Sequence, residues 1–265
     1  MSAPPRILSI AGSDSSGGAG IQADIKTIAM LGGYAMTALT AITAQNTTGV
    51  QAVEALSANF VGTQIDSCLS DIGADAIKIG MLGSPEIAAT VAQRLEDFSG
   101  TIVFDPVMIA SSGSVLADDA TIEAFATLMD LATIVTPNLP ELAALTSREV
   151  GDAESVIEAA LDLAQCHDVL VLAKGGHAEG EEVIDRVASP DGKIASFSHQ
   201  RIETRHTHGT GCTLSSAIAT LVGHGQPLTH AVRLAREFTH AAIAQAPGFG
   251  AGSGPLGHQT VRRPA

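Results

Sequence analysis

Basic residues are scarce in this chain: 14 Lys and Arg stand against 28 Asp and Glu, for a formal net charge of −14. A nucleic-acid partner requires a basic stripe that neutralises phosphates, so the scarcity argues against DNA or RNA binding. The acidic balance favours solubility and names no partner. Tryptophan is absent, and the cysteines are few: Cys68, Cys166 and Cys212, far apart and with no C-x-x-C pair. That spacing excludes a zinc ribbon and a disulfide framework, and suits a reducing compartment, so a cytoplasmic location is expected. The opening MSAPPRILSIAGSDSS contains an apolar run too short for a signal peptide. Residues 27–53 lack charge over a length that could cross a bilayer, yet Gly32-Gly33 and many Thr, Gln and Asn interrupt them. They read as a buried helix end followed by a buried strand, and no membrane partner is expected.

What is present is a regular alternation. ILSIAG (7–12), TALTAITAQ (37–45), AIKIG (76–80), TIVFD (101–105), TIVTP (133–137) and DVLVLAK (168–174) read as strands, with weaker ones near 181–187 and 194–198. Helical spacing marks Ile21, Ile25 and Ile28, then residues 61–72, 85–98, 152–166, 212–223 and 228–245. Near-continuous apolar strands alternating with helices predict an α/β fold with a mostly parallel central sheet covered on both faces. The 265 residues are 45% hydrophobic, with no internal repeat or linker-like shift, so one domain over 1–265 is expected. In such a sheet the ligand sits beyond the carboxyl ends of the strands.

Three stretches carry candidate chemistry. GSDSSGGAGIQAD, Gly12 to Asp24, follows the first strand and fits G-x-G-x-x-A, but the acidic residue expected about 20 positions later is missing and no G-K-[ST] occurs. It is therefore neither a dinucleotide fingerprint nor a P-loop, but a tight turn that lets a ligand approach the backbone, with Asp24 the side chain expected to face it. A second set lies at strand ends: Gln45-Asn46, Lys78, Asp105, Asn138 with Glu141, and Lys174-Gly-Gly-His177. Two lysines, two carboxylates and several amides on one rim suit phosphate and a divalent cation, although Asn138 also stands where a helix N-cap belongs. The third stretch is HTHGTGCTLSSAIA, 206–219. His206, His208 and Cys212 could bind a metal but lack a fourth ligand. Cys212 could be a nucleophile with its pKa lowered at a helix N-terminus, or a buried apolar residue. Gly209 and Gly211 leave backbone N–H groups around it, which makes an anion pocket the stronger signal.

GSDSSGGAGIQAD, TAITAQNTTGV, DAIKIGML, VFDPVM, TPNLPE, KGGH, HTHGTGCTLSSAIA and GPLGH together resemble the hydroxymethylpyrimidine/phosphomethylpyrimidine kinase family of thiamine biosynthesis, in the ribokinase-like superfamily. The resemblance runs in family order from residue 8 to residue 258. It implies a three-layer α/β sandwich and two successive transfers of the γ-phosphoryl group of ATP, with Mg2+, to a pyrimidine alcohol and then to its monophosphate. By the same resemblance Gln45 binds the pyrimidine, with Gly12, Asp24 and Met81 lining the pocket. Lys174, Asn138 and Thr210 take the ATP phosphates, and Asp105 and Glu141 lie in the metal and phosphate region. Gly209 and Gly211 form the anion hole, and Cys212 holds the catalytic-base position. A homodimer is implied as well. Two positions depart from the family pattern: Ser16 replaces a frequent glycine, and Ser111 a frequent lysine. The nearest alternative is a pyridoxal or pyridoxine kinase, whose substrate is also a flat hydroxymethyl-bearing heterocycle.

Overall fold

A computed structural model describes residues 3–109, 116–178 and 180–261. Among these residues nine strands form one sheet: β1 (Arg6–Asp14), β2 (Tyr34–Asn46), β3 (Gly49–Ala55), β4 (Ala76–Ile79), β5 (Thr101–Phe104), β6 (Ile134–Val135), β7 (Leu170–Ala173), β8 (Glu182–Ala188) and β9 (Ile194–Gln200). Their order is β3-β2-β1-β4-β5-β6-β7-β8-β9. From β2 to β7 every neighbouring pair is parallel; β3, β8 and β9 run antiparallel to their neighbours. The apolar runs form the parallel part because both faces there are buried.

Eight helices cover the sheet: α1 (Gly20–Met30), α2 (Ala58–Asp71), α3 (Pro85–Leu95), α4 (Asp119–Leu131), α5 (Leu139–Thr146), α6 (Ala153–His167), α7 (Thr210–Gly223) and α8 (Leu228–Ala244). One face packs Leu8, Ile10, Ile77, Ile79 and Phe104 against α2–α6; the other packs Ile7, Ala76, Val103, Ile134 and Leu172 against α1, α7 and α8. The result is the three-layer sandwich of the ribokinase-like fold.

Four elements differ from the sequence reading. Strand β3 was not expected; it is a largely exposed edge without a continuous apolar run. Helix α4 was also not expected, of α5 only the N-cap position at Asn138 was read, and the strand read over 133–137 shrinks to Ile134–Val135, because Asn138 already caps α5. No helix among the described residues is long and apolar enough to cross a membrane.

The strand order places the site. From β1 the chain moves to β2 on one side and later to β4 on the other, so the order reverses at β1 and a crevice opens beyond its carboxyl end, at Gly12–Asp14.

Candidate active site

Two glycine-bearing loops meet above β1. Gly209, the N-cap of α7, has φ 86° and approaches so closely that a Cβ there would overlap the Gly18 carbonyl oxygen. The first loop is closed on itself by Asp14. Its carboxylate accepts hydrogen bonds from the backbone N–H of Ser16 (2.8 Å), Gly18 (3.0 Å) and Ala19 (2.8 Å), from the Ser16 hydroxyl, and from His208 Nε2 (2.9 Å). Burial pushes the Asp14 pKa up, but the bonds from His208, Ser16 and Ala19 outweigh it and hold the group at about 2. The backbone approach expected at this turn is therefore taken by the protein's own carboxylate. Ser16, a departure from the family pattern, adds its hydroxyl to the clamp. Ser111, the other departure, lies outside the described residues.

Asp24 corrects a second expectation. It is 0% exposed, turned to partners inside the protein rather than to the crevice. Its carboxylate accepts from Lys78 Nζ at 2.9 Å, from the Ser9 hydroxyl at 2.6 Å and from the Ser216 hydroxyl at 2.7 Å. One turn into α1, the side chain points into the sheet rather than along it. Lys78, expected on the phosphate rim, is equally buried; burial would lower its pKa, but the charges of Asp24 and Asp105 raise it, so it stays cationic. Both residues form the floor under the site.

Beside that floor lies a second charge cluster, itself largely buried. Lys174 Nζ donates to Asp105 Oδ1 at 2.7 Å and stands 3.7 Å from Glu141 Oε2. The Thr136 hydroxyl also donates to Asp105, at 3.0 Å. Burial raises the Asp105 pKa, but Lys174 and Lys78 bring it below the usual carboxylate range. Glu141 goes the other way: burial and the Asp105 charge push it up against the pull of Lys174. Lys174 is raised overall, its two carboxylates outweighing burial. Asn138 sits in a capping box, its side chain accepting from Glu141 N–H while Glu141 Oε2 accepts from Asn138 N–H, so its carbonyl end is committed to the helix.

Gly211 joins the cluster to α7: its Cα faces Asp105 Oδ2 and Lys174 Nζ, each 3.4 Å from where a Cβ would be. No side chain caps α7, so the N–H groups of Gly211 and Cys212 precede any intrahelical acceptor and point outward. The Thr210 hydroxyl turns back to the Thr207 carbonyl (2.7 Å). Cys212 is partly buried, and its pKa is pushed up to about 11 by burial and by the Asp24 and Asp105 charges, against Lys78 and a bond from Gly20 N–H. This reverses the lowered pKa expected from the helix terminus: burial above all, with the nearby Asp24 and Asp105 carboxylates, outweighs the helix terminus, and the group is a thiol at neutral pH. A metal site at His206, His208 and Cys212 is not formed; no cluster of three candidate ligands occurs among the described residues, and His208 is bound to Asp14.

Across the crevice, Gly12 lies against Met81, whose Cε a Cβ at residue 12 would overlap, and Thr40 Oγ1 donates to the Met81 carbonyl at 2.7 Å. Gln45, half-buried at the end of β2, approaches His208 Nε2 at 3.3 Å. Gly12, Met81, Gln45 and Cys212 thus gather around the first loop, and Lys174, Asp105 and Glu141 around the foot of α7.

Residues 14–257 match the family model described as phosphomethylpyrimidine kinase. The chain belongs to that family. A hydroxymethylpyrimidine/phosphomethylpyrimidine kinase of Rhizobium meliloti is 47% identical over 95% of this chain and 96% of the relative. The crystal structure of a phosphomethylpyrimidine kinase from Clostridium difficile is 40% identical and covers 90% of this chain and 99% of its own, with a TM-score of 0.79. A pyridoxal kinase of Bacillus subtilis, solved as an ADP complex, is 33% identical, covers 97% of this chain and 98% of its own, and gives a TM-score of 0.89. The backbone therefore does not separate pyrimidine from pyridoxal kinases, whereas sequence identity favours the former. The kinase is a phosphotransferase. Asp14 and His208, central to its site, were not singled out for these roles in the sequence. The only signal was a carboxylate just past the first strand, and its partner lies 194 positions away.

Proposed function

We propose that this kinase phosphorylates 4-amino-5-hydroxymethyl-2-methylpyrimidine with ATP, and then phosphorylates the resulting monophosphate to the diphosphate, for thiamine biosynthesis. The observation that carries this reading is the Cys212 thiol at the uncapped N-terminus of α7, whose N-cap Gly209 meets the first loop at Gly18 and whose first turn meets the Lys174–Asp105 pair at Gly211.

Phosphoryl transfer through a loose transition state depends on positioning and charge stabilisation. Lys174 and the N–H groups of Gly211 and Cys212 supply positive potential where phosphate oxygens gather. Asp105 and Glu141 suit a magnesium ion delivered with the nucleotide. They are two carboxylates rather than a full cage, as Mg2+ shared with phosphate and water requires. When bound, the ion neutralises charge on the phosphate oxygens. Gln45, Gly12 and Met81 hold the ring, and Cys212 takes the proton of the attacking alcohol. At a pKa of about 11 the thiolate is about one part in ten thousand at neutral pH, so Cys212 assists the reaction and does not carry it.

ADP release measured with the pyrimidine alcohol, its monophosphate, pyridoxal and ribose tests this reading. Turnover of the monophosphate supports it; turnover of pyridoxal alone would replace it with the pyridoxal kinase reading, which the 0.89 TM-score keeps in view. We further propose a cytoplasmic homodimer. The three free cysteines and the exposed apolar residues of the edge pair β2–β3, Ile42 on β2 and Val53 on β3, both 49% exposed, support it, and light scattering tests the assembly.

A further inference from the structure

Two conflicts of hydrogen-bond polarity lie side by side at the mouth of β1. Asp14 is an anion, and its Oδ2 lies 2.9 Å from His208 Nε2. A carboxylate oxygen only accepts, so His208 Nε2 carries a hydrogen and donates it to Asp14. Gln45 Nε2 stands 3.3 Å from the same His208 Nε2, which sets donor against donor. At the other end of the amide, Thr43 Oγ1 is 2.9 Å from the Ser13 carbonyl and 3.2 Å from Gln45 Oε1, two acceptors for one hydroxyl hydrogen.

A single half-turn of the Gln45 amide removes both conflicts. The two ends of a side-chain amide have the same shape, and the surrounding network decides which is oxygen. With its oxygen against His208, the amide shares the Nε2 hydrogen with Asp14. Its NH2 then donates to Thr43 Oγ1, whose own hydrogen goes to Ser13. The Gln45 backbone is fixed by the same loop, its N–H donating to Ser15 Oγ and its carbonyl accepting from it, both at 2.9 Å. One amide hydrogen remains without a partner among the described residues, on a half-buried side chain beside the crevice.

We infer that Asp14 and His208 are positioning residues that lock the Gln45 amide with its oxygen inward and one N–H free for the ligand, so that the feature recognised is an unprotonated ring nitrogen. The inference rests on the pyrimidine reading above and deepens it. A ring presenting C–H or a protonated nitrogen at that point leaves the Gln45 hydrogen without an acceptor. Neither Asp14 nor His208 needs to touch the substrate: Asp14 fixes which nitrogen of His208 carries the hydrogen, and that hydrogen fixes the amide.

The test has a structural arm and a kinetic arm. Neutron diffraction on the resting full-length chain should show deuterium on His208 Nε2 and the Gln45 ND2 group facing Thr43; an ND2 group facing His208 overturns the inference. For kinetics, kcat/KM is compared between the pyrimidine alcohol and two analogues, each with one ring nitrogen replaced by C–H. The unmodified kinase should prefer the pyrimidine over one analogue by about tenfold or more. In His208→Phe that ratio should fall towards one, with the loss in KM rather than kcat, because the amide is free to turn. Gln45→Glu, which offers no N–H, should abolish the preference too. A ratio unchanged in a folded His208→Phe variant sinks the positioning role. Absence of turnover of the pyrimidine by the unmodified kinase would instead remove the reading underneath, while the diffraction result still decides the amide.

Discussion

Lys78 and Asp24 form an ion pair of 2.9 Å with both side chains fully shielded from water, directly beneath the helix terminus that carries Cys212. Removing one partner leaves a buried charge without compensation. Lys78→Met or Asp24→Leu alone should destabilise the fold by about 3–5 kcal/mol, whereas the double substitution should recover most of the loss. Urea unfolding of the three variants measures this, and additive losses would contradict it.

Gly209 stands against the Gly18 carbonyl with φ 86°. Gly209→Ala should cost about 1–3 kcal/mol from the backbone alone. It should also separate the two loops, lowering kcat/KM for both phosphorylations by about a hundredfold. Steady-state kinetics on the alcohol and the monophosphate, with a melting curve, report both effects.

The two steps differ in what they ask of Cys212. The alcohol must lose a proton as it attacks, whereas the phosphate oxygen of the monophosphate is already ionised. Cys212→Ala should slow the first step by about 10²–10⁴-fold and the second far less. Equal losses in single-turnover experiments would assign Cys212 a packing role.

His258, in the closing GPLGH, is 1% exposed and its Nε2 lies 2.8 Å from the hydroxyl of Thr213, next to Cys212. Burial, with the charge of Lys26, lowers its pKa from 6.5 to about 4. Between those values the unfolded chain binds a proton that the native state refuses, so stability falls as pH drops from 6.5 to 4 and no further below. The loss at this one group approaches about 3 kcal/mol. Urea midpoints from pH 7 to pH 4 should fall more steeply for the unmodified kinase than for His258→Gln.

The parts of the fold that were legible in the sequence are those where a local pattern decides the outcome. Continuous apolar runs such as IVF before Asp105 and LVLA before Lys174 gave the parallel strands, and TPNLPE gave the cap at Asn138. Strand β3 escaped because an exposed edge has no apolar run, and of α5 only the cap was readable because eight residues are too few for a period to show. Within the site, the glycines of α7 were readable because their conformation is local. The inward turn of Asp24 was not, since its partners Lys78 and Ser216 lie 54 and 192 positions away. The direction of the Cys212 shift was hidden for the same reason: burial, with carboxylates brought close only by folding, decides it.

The Asp14 clamp has a consequence for how ligands are received. Many glycine-rich turns are loose until an anion binds, and the ordering is then subtracted from the affinity. Here the turn at 16–19 is ordered in advance by a carboxylate in the chain itself. Its amide hydrogens should exchange slowly with solvent whether or not ligands are present. Little rotational or backbone freedom then remains to be lost in this wall of the crevice when the ring arrives.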